Sequence, residues 1–329
     1  MKIYRIKYTL SITISMLFFT YAQIQSNPSF EQQWITMQHE YQKLEAALNE
    51  TENPQLKKYC HSCWENNRKI IRQVLLGAPN ERFLHTPVIS GSMVRHGNSL
   101  FQKYEKTYLL ECVSPQTKKT IATYQDTSFG LLPKECAELN CSTSTLGALF
   151  YAAKILETPN RPDIKTLVDF GGGYGNLARV FKKIIPNSTV FIIDLPELLA
   201  LQFLFLQTTL PDTKILIHDQ ERSDYETGAI HLIPIYLFEK LNVSIDLFIS
   251  TFALSETPLF VQDLVARKNF CNAPMCYITG QLQGWNGYFE QHNTLLENIR
   301  KSYNATTCQP FHHMLENSLS SYEIIGIQK

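Results

Sequence analysis

The stretch from residue 166 to residue 196 contains three glycines at alternate positions, and it constrains the fold more than any other part of the chain. Residues 166–170 are apolar except for Asp169, which is typical of a buried strand that delivers one acid to the end of a sheet. Apolar residues then recur at helical spacing over 176–185, and a proline ends that pattern. A second apolar run leads to Asp194. Strand, glycine turn, helix and strand together predict a right-handed crossover unit of a parallel sheet.

The turn itself carries Gly171, Gly173 and Gly175. Because glycine has no side chain, the backbone can bend sharply there and a ligand can lie against it. The following helix N-terminus favours a carboxylate or a phosphate, and Asp194 could accept hydrogen bonds from both hydroxyls of a ribose. A dinucleotide turn of the form G-x-G-x-x-G would need glycine where the chain has Asn176. A turn that binds no ligand is the remaining interpretation.

The spacing G-x-G-x-G, with Asp169 just before it, resembles motif I of the class I methyltransferases that use S-adenosyl-L-methionine. The Asp-Leu-Pro step that begins at Asp194 is similar to that of small-molecule O-methyltransferases. The sequence IDLFISTFALSE over 245–256 resembles the fourth strand and following loop of sugar O-methyltransferases, and a looser likeness extends over 125–283. The resemblance implies that the glycine turn faces the methionine end of the cofactor and that Asp194 binds the ribose.

The cofactor-binding residues expected from this pattern follow the ends of the predicted strands, where ligands bind in doubly wound sheets. They are Asp169, Gly171, Gly173, Gly175, Asp194, Asp219 and Thr251. Asp219 follows the third predicted strand, where methyltransferases often bind the adenine or its ribose. A solvated loop acid is the alternative at that position.

Transfer of a methyl group to a sugar hydroxyl requires close alignment, and a base is expected to help remove the proton. Glu256, in the loop after the fourth strand, is the first candidate for base or acceptor anchor, and a purely structural acid is the alternative. His292, beyond the fifth strand, is the second candidate. His312 and His313 are adjacent, but neither their spacing nor their neighbours support a metal site.

Charge and length restrict the partners. The chain has 329 residues, 44% of them hydrophobic, and its 30 basic and 30 acidic residues give no net charge. This balance, without a basic run among aromatics, argues against nucleic acid as a partner. The partner that the resemblance implies is a sugar or glycoconjugate acceptor.

The first 22 residues resemble a secretory signal or signal-anchor, with a basic start and an uncharged apolar stretch over 10–21. This predicts an exported or membrane-associated protein, and a retained leader would attach the chain to a membrane. Because S-adenosylmethionine is made in the cytosol, an exported methyltransferase would need an imported supply of it or retention on the cytosolic side of the membrane. The alternative is a cytoplasmic enzyme. Five N-x-S/T sites would be glycosylation acceptors in a eukaryotic lumen, at Asn49, Asn140, Asn187, Asn242 and Asn304.

Residues 23–160 are expected to form a mostly helical region. The resemblance implies that this region lies over the cofactor fold and helps to form the acceptor pocket. The predicted elements are a helix after Ser29, which forms a capping box with Gln32, a helix from Gln55 to Leu76, irregular chain over 80–140, and a helix from Ser142 or Thr143 to Leu156. Cys60 and Cys63 lie within the second of these helices, and we expect them to be structural thiols or a disulfide. The alternatives are a redox pair, or a zinc site that has Cys136 and Cys141 as its second pair. Arg95, His96 and Glu111 are weaker candidates for acceptor contacts.

Residues 161–329 are expected to form the S-adenosylmethionine-binding domain. Further strands are predicted at 214–218, 230–233, 245–250 and 275–279, with helices over 198–210 and 260–267. This alternation predicts an α/β fold with a doubly wound, Rossmann-like methyltransferase sheet. The expected function is a sugar O-methyltransferase. The alternatives are an exported, non-catalytic binding protein on a degenerate methyltransferase scaffold and a nicotinamide-dependent oxidoreductase.

Overall fold

A computed structural model describes residues 28–47, 54–96, 100–281, 293–308 and 321–329. The predicted leader over 1–22 lies outside these residues. Over the described parts of the chain, none of the helices combines the length and apolar character that a bilayer span requires.

The N-terminal part of the chain is helical, as the sequence predicts. Its helices are α1 (Phe30–Ala47), α2 (Pro54–Lys57), α3 (Ser62–Leu76), α4 (Pro87–Met93), α5 (Leu100–Thr107), α6 (Pro115–Ala122) and α7 (Thr143–Leu156). The capping box of α1 is confirmed, because the Ser29 amide donates to Gln32 Oε1 at 3.1 Å and the Gln32 amide donates to Ser29 Oγ at 3.3 Å. Ser142 caps α7 by accepting from the Thr145 amide at 3.3 Å.

The single helix predicted over 55–76 is wrong, because the chain breaks between α2 and α3. At the break, the Tyr59 and Cys60 amides donate to carbonyls three residues earlier, which tightens the turn and ends α2. The Tyr59 ring packs edge-on against the Phe260 ring, with 5.6 Å between the ring centroids. Tyr59 thus belongs to a different apolar cluster from the buried side chains of α3. One straight helix could not serve both cores. Cys60 therefore precedes α3 instead of lying within a helix.

The irregular segment predicted over 80–140 is also wrong in part, since it contains α4, α5 and α6. Two prolines of this segment occupy first-turn positions, where proline starts a helix. Pro115 follows Ser114, whose hydroxyl accepts from the Thr117 amide at 3.3 Å and caps α6. Pro87 begins α4 after Thr86, which makes no side-chain capping bond.

The C-terminal part is a sheet of eight strands with helices on both faces. Its elements are β1 (Thr166–Phe170), α8 (Asn176–Ile184), β2 (Thr189–Asp194), α9 (Pro196–Thr209), β3 (Ile215–Ile217), β4 (Ile230–Pro234), β5 (Leu247–Thr251), α10 (Leu259–Arg267), β6 (Met275–Gln281), α11 (Asn293–Ser302), β7 (Tyr303–Cys308) and β8 (Ser321–Gln328). The strand order is β3-β4-β2-β1-β5-β6-β8-β7. Strands β1 to β6 are parallel, and β8 and β7 add an antiparallel pair.

This arrangement confirms the doubly wound, Rossmann-like α/β fold. The strands from β1 to β6 and the helices α8, α9 and α10 follow the predicted pattern, with bounds that differ by a few residues. The sequence reading missed α11, β7 and β8. The order reverses at β1, so the carboxyl ends of β1, β2 and β5 meet at the switch point where such sheets bind ligands.

The two faces of the sheet belong to different apolar clusters. Leu167 and Ile249 lie on the face covered by α7, α8, α9 and the N-terminal helices, whereas Val168 and Phe248 lie on the face covered by α10 and α11. Because side chains alternate along a strand, Asp169, Asp194 and Thr251 point to the first face. The helices of the N-terminal region share this core with the sheet, and a domain boundary near residue 160 stays a prediction.

Candidate functional site

The glycine turn after β1 is held tightly on its inner side and is open at one position. The Gly171 amide donates to the Ile193 carbonyl at 2.8 Å, and the Gly175 amide donates to the Gly172 carbonyl at 2.9 Å. Gly171 has φ +77°, and a Cβ there would lie 2.0 Å from that of Ala253.

At Gly173, with φ +58°, the nearest atom to such a Cβ is on Met93, at 3.9 Å. Space for a ligand therefore adjoins Gly173, which can adopt this left-handed backbone without a side chain.

Asp169 lies beneath the turn and has no ionic or hydrogen-bonding partner among the described residues. The side chain is 1% exposed, and neither carboxylate oxygen is within hydrogen-bond reach of a described donor. Burial raises its pKa from the ordinary value of 3.8 to about 7. An unpartnered buried carboxyl is costly, so its presence at the carboxyl end of the sheet indicates a site for a cationic or hydrogen-bonding ligand.

Asp194 lies at the end of β2, on the same face of the sheet. Its Oδ1 accepts from the Leu195 amide and its Oδ2 accepts from Gln202 Nε2, both at 2.8 Å. Burial first, and the nearby charge of Asp169 to a lesser degree, raise its pKa to about 7. The structure thus brings both acids of the predicted motif together at the glycine turn.

Asn176, which occupies the position of the third glycine in a dinucleotide turn, is used for packing between helices. Its Nδ2 donates to Thr145 Oγ1 at 3.3 Å on α7, and its Oδ1 accepts from Arg179 Nε at 3.1 Å. Arg179 is itself buried and donates to Asp126 Oδ1 at 2.6 Å. This polar cluster fixes the first turn of α8 against α7.

Polar side chains continue from the two acids across the sheet. Thr251, at the end of β5, pairs in register with Thr279 of β6. Thr279 is 1% exposed, and neither its hydroxyl nor Gln281 Oε1 has a partner among the described residues. Thr251, Thr279 and Gln281 therefore form a polar row on the face that carries Asp169 and Asp194.

Glu256 lies in the loop after β5, where the sequence placed it, and is held from the N-terminal region. Trp64 Nε1 on α3 donates to Glu256 Oε2 at 3.2 Å. Burial raises the pKa of Glu256 to about 7, partly offset by this hydrogen bond. The preceding Ser255 is buried and supports the loop, because its hydroxyl donates to the Phe252 carbonyl at 2.6 Å and accepts from the Gln281 amide at 3.2 Å.

Helix α3 attaches to both sides of the glycine turn. One turn after Trp64, Arg68 donates twice to Glu197 in the first turn of α9, at 2.9 and 2.8 Å. Glu197 follows β2 and Glu256 follows β5, and these two strands flank β1. The sequence reading missed Trp64, Arg68 and Gln202 as site residues. The local signal for Gln202 was a single glutamine within the apolar run over 198–206.

Asp219 lies farther from the turn than the other predicted residues. It is exposed and follows β3, the edge strand, so that β4 and β2 separate it from β1. Tyr236, which follows β4, has a buried hydroxyl without a described partner. Burial first, and the charge of Asp219 second, raise the pKa of this hydroxyl. His231 lies within β4 and its Nδ1 is 3.0 Å from His218 Nε2, so it takes no part in the ligand edge.

The remaining candidates lie elsewhere. Three predicted candidates lie outside the described residues, namely His292, His312 and His313. Among the described residues, no group of side chains could hold a metal ion. Arg95 is half-buried and forms an ion pair with the buried Glu105, which indicates a structural role. The cysteines with described side chains are free thiols, namely Cys60, Cys112, Cys136, Cys141, Cys271 and Cys276.

No protein-family model and no curated protein matches this chain. Among solved structures, the magnesium protoporphyrin IX methyltransferase of Synechocystis with bound S-adenosylmethionine is similar over 80% of this chain and 97% of its own, with 10% identity and a TM-score of 0.41. An O-methyltransferase family protein of Burkholderia thailandensis is similar over 75% of this chain and 82% of its own, with 10% identity and a TM-score of 0.39.

A precorrin-6y C5,15-methyltransferase of Geobacter metallireducens is similar over 55% of this chain and 88% of its own, with 13% identity and a TM-score of 0.35. At such identities and TM-scores, these likenesses assign neither a ligand nor a reaction to this chain. The fold rests on the strand order and helix placement described above.

Proposed function

We propose that this chain is an S-adenosylmethionine-dependent O-methyltransferase that acts on a hydroxyl of a sugar or glycoconjugate. The observation that carries the proposal is the meeting of Asp169 and Asp194, both buried, at a glycine turn with space beside Gly173. The sequence resemblance to motif I supports the same cofactor.

The residues present fit the cofactor. The unpartnered carboxyl of Asp169 offers a counter-charge to the cationic groups of the methionine end, and Asp194 offers acceptors to ribose hydroxyls. When bound, S-adenosylmethionine supplies an electrophilic methyl group. The Asn176 side chain is hydrogen-bonded to Thr145 and Arg179 at the position where a dinucleotide turn has glycine, and this disfavours the dinucleotide alternative.

Glu256 is the proposed base. A carboxyl with a pKa of about 7 is ionised in part at neutral pH and can accept the proton of an acceptor hydroxyl. Trp64 Nε1–H holds one of its oxygens, which leaves the other for the acceptor. Met93 is the side chain nearest to Gly173, and it would limit the access of water to a ligand bound there.

The acceptor class rests on two observations. The sequence over 245–256 resembles sugar O-methyltransferases, and the polar row of Thr251, Thr279 and Gln281 offers hydrogen-bonding groups beside the turn. Buried polar atoms without partners suit a ligand rich in hydroxyls better than an apolar one.

Calorimetric titration with S-adenosylmethionine, with NAD as the control, tests the cofactor. Binding of the first alone supports the proposal, and tight binding of NAD would favour an oxidoreductase. Absence of binding to either would favour the non-catalytic binding protein.

Release of S-adenosylhomocysteine with a panel of sugars, nucleotide sugars and phenols then tests the acceptor. Glu256→Gln should lower turnover at least roughly a hundredfold with little change in cofactor affinity. Turnover with phenols but not sugars would contradict the acceptor class.

A further inference from the structure

Gln202 is a buried amide in the middle of an apolar helix. It is 0% exposed and lies on α9, whose neighbouring side chains are nearly all leucine or phenylalanine. A primary amide at such a position destabilises the fold unless it is hydrogen-bonded. Its Nε2 makes two hydrogen bonds that offset part of this cost, and both lead to the glycine turn and its acid, whereas its Oε1 has no partner among the described residues.

The amide nitrogen of Gln202 joins two separate segments of the site. Nε2 donates to Asp194 Oδ2 at 2.8 Å and to the Gly173 carbonyl at 2.9 Å. Gly173 belongs to the turn after β1, and Asp194 ends β2. Each hydrogen of the NH₂ group thus has its own acceptor, and the two acceptors belong to the two segments between which a ligand would lie.

The orientation of this amide is determined by its neighbours. Both contacted atoms are acceptors, so a rotation of the amide by 180° would place Oε1 against a carboxylate and a carbonyl. The remaining contact of Asp194 is with the amide of its own neighbour, Leu195. No described lysine or arginine pairs with this acid, so Gln202 is the side chain that sets its direction.

We propose that Gln202 is a positioning residue for the cofactor, which fixes the Asp194 carboxylate and the Gly173 backbone in the arrangement that binds the ligand. This inference rests on the proposed function, because the ligand is S-adenosylmethionine. Gln202 acts through Asp194 and Gly173 and need not touch the ligand.

The test compares Gln202→Leu with Gln207→Leu by calorimetric titration of S-adenosylmethionine and S-adenosylhomocysteine. Gln207 lies on the same helix, is half-buried and donates to the Gln33 carbonyl at 3.1 Å, away from the turn, so it controls for the loss of a glutamine hydrogen bond on this helix. We expect Gln202→Leu to raise Kd for both ligands by roughly tenfold or more and Gln207→Leu to change it less than about twofold.

A second variant, Gln202→Glu, tests the pH dependence of ligand affinity, which would not change if Gln202 had only a structural role. Protonated at low pH, the new carboxyl can still donate to Asp194. Ionised at higher pH, it repels that acid and loses the bond. We therefore expect the affinity of Gln202→Glu to fall between about pH 6 and about pH 8. The wild-type affinity for S-adenosylmethionine should hold or rise over this range, because the acids of the site ionise and the sulfonium gives this ligand a net positive charge.

The outcomes separate the two proposals. A wild-type protein that binds neither ligand overturns the proposed function and this inference with it. A wild-type protein that binds both, with Gln202→Leu folded and within about twofold of its Kd, overturns this inference alone. If Gln202→Leu does not fold, a pH profile of Gln202→Glu that matches the wild type overturns the inference.

Discussion

Replacement of Asp169 by asparagine should stabilise the protein at high pH and have a smaller effect at low pH. Burial raises the pKa of Asp169 from 3.8 to about 7, and no described group compensates for its charge. The folded chain therefore keeps a proton that the unfolded chain loses between these pH values. The contribution of the neutral carboxyl to the free energy of unfolding is fully present below about pH 4 and is lost as the pH rises to about 7.

The size of this effect follows from the slope of about 1.4 kcal/mol per pH unit for one bound proton. Over the full interval the loss is roughly 4 kcal/mol, and between pH 5 and pH 8 it is about 3 kcal/mol. The side chain introduced by Asp169→Asn carries no charge at any of these pH values, and the cost of burying its NH₂ group does not depend on pH. The gain in unfolding free energy for Asp169→Asn should thus be about 3 kcal/mol larger at pH 8 than at pH 5.

Urea denaturation followed by circular dichroism at pH 5, 6, 7 and 8 measures this difference, provided that the slope against urea is the same for both proteins. Asp219→Asn is the control, since Asp219 is exposed and the same substitution there should show no such trend. A difference below about 1 kcal/mol between pH 5 and pH 8 would refute the reasoning, because it would mean that Asp169 ionises at an ordinary pKa. The stabilised variant should also bind S-adenosylmethionine more weakly, since it lacks the counter-charge.

Three further substitutions test the packing that supports the site. Gly171→Ala should destabilise the protein by roughly 3 kcal/mol in urea denaturation, because its Cβ would lie 2.0 Å from that of Ala253, whereas Gly91→Ala in α4 has free space and should be neutral or stabilising. Lys182→Met should lower the melting temperature and cost about 2–4 kcal/mol, because Nζ donates to three backbone carbonyls, and an unchanged melting temperature would contradict this role. Arg179→Met should cost about 3–5 kcal/mol by leaving its carboxylate partner buried and unpaired, and recovery when that partner is also made apolar would confirm the cause.

The parts of the site that lie close together in sequence could be predicted from it. The glycine turn, Asp169 and Asp194 belong to one strand-turn-helix-strand unit, and the periodicity of its apolar residues identifies each element. Glu256 follows from the end of β5 for the same reason. The carboxyl ends of parallel strands necessarily meet at one edge, so the topology brings these residues together.

The contacts made across long distances in the chain could not be predicted. Trp64 and Glu256 are 192 residues apart, and Arg68 and Glu197 are 129 apart. Nothing in the local pattern of α3 states which acid each side chain will meet. The break before α3 could not be predicted for a similar reason, since residues 58–61 contain neither glycine nor proline and Tyr59 packs against Phe260, which is distant in the chain.

The two attachments of α3 bear on how acceptor specificity in this protein can be redesigned. A chimaera that takes its N-terminal helices from another enzyme would lose the indole at Glu256 and the guanidinium at Glu197 together. Exchange of the helices that are proposed to contact the acceptor would then also alter the proposed base, Glu256, and the first turn of α9. A graft that keeps tryptophan and arginine four residues apart on the third helix is the one expected to change the proposed acceptor while it preserves the residues around the glycine turn.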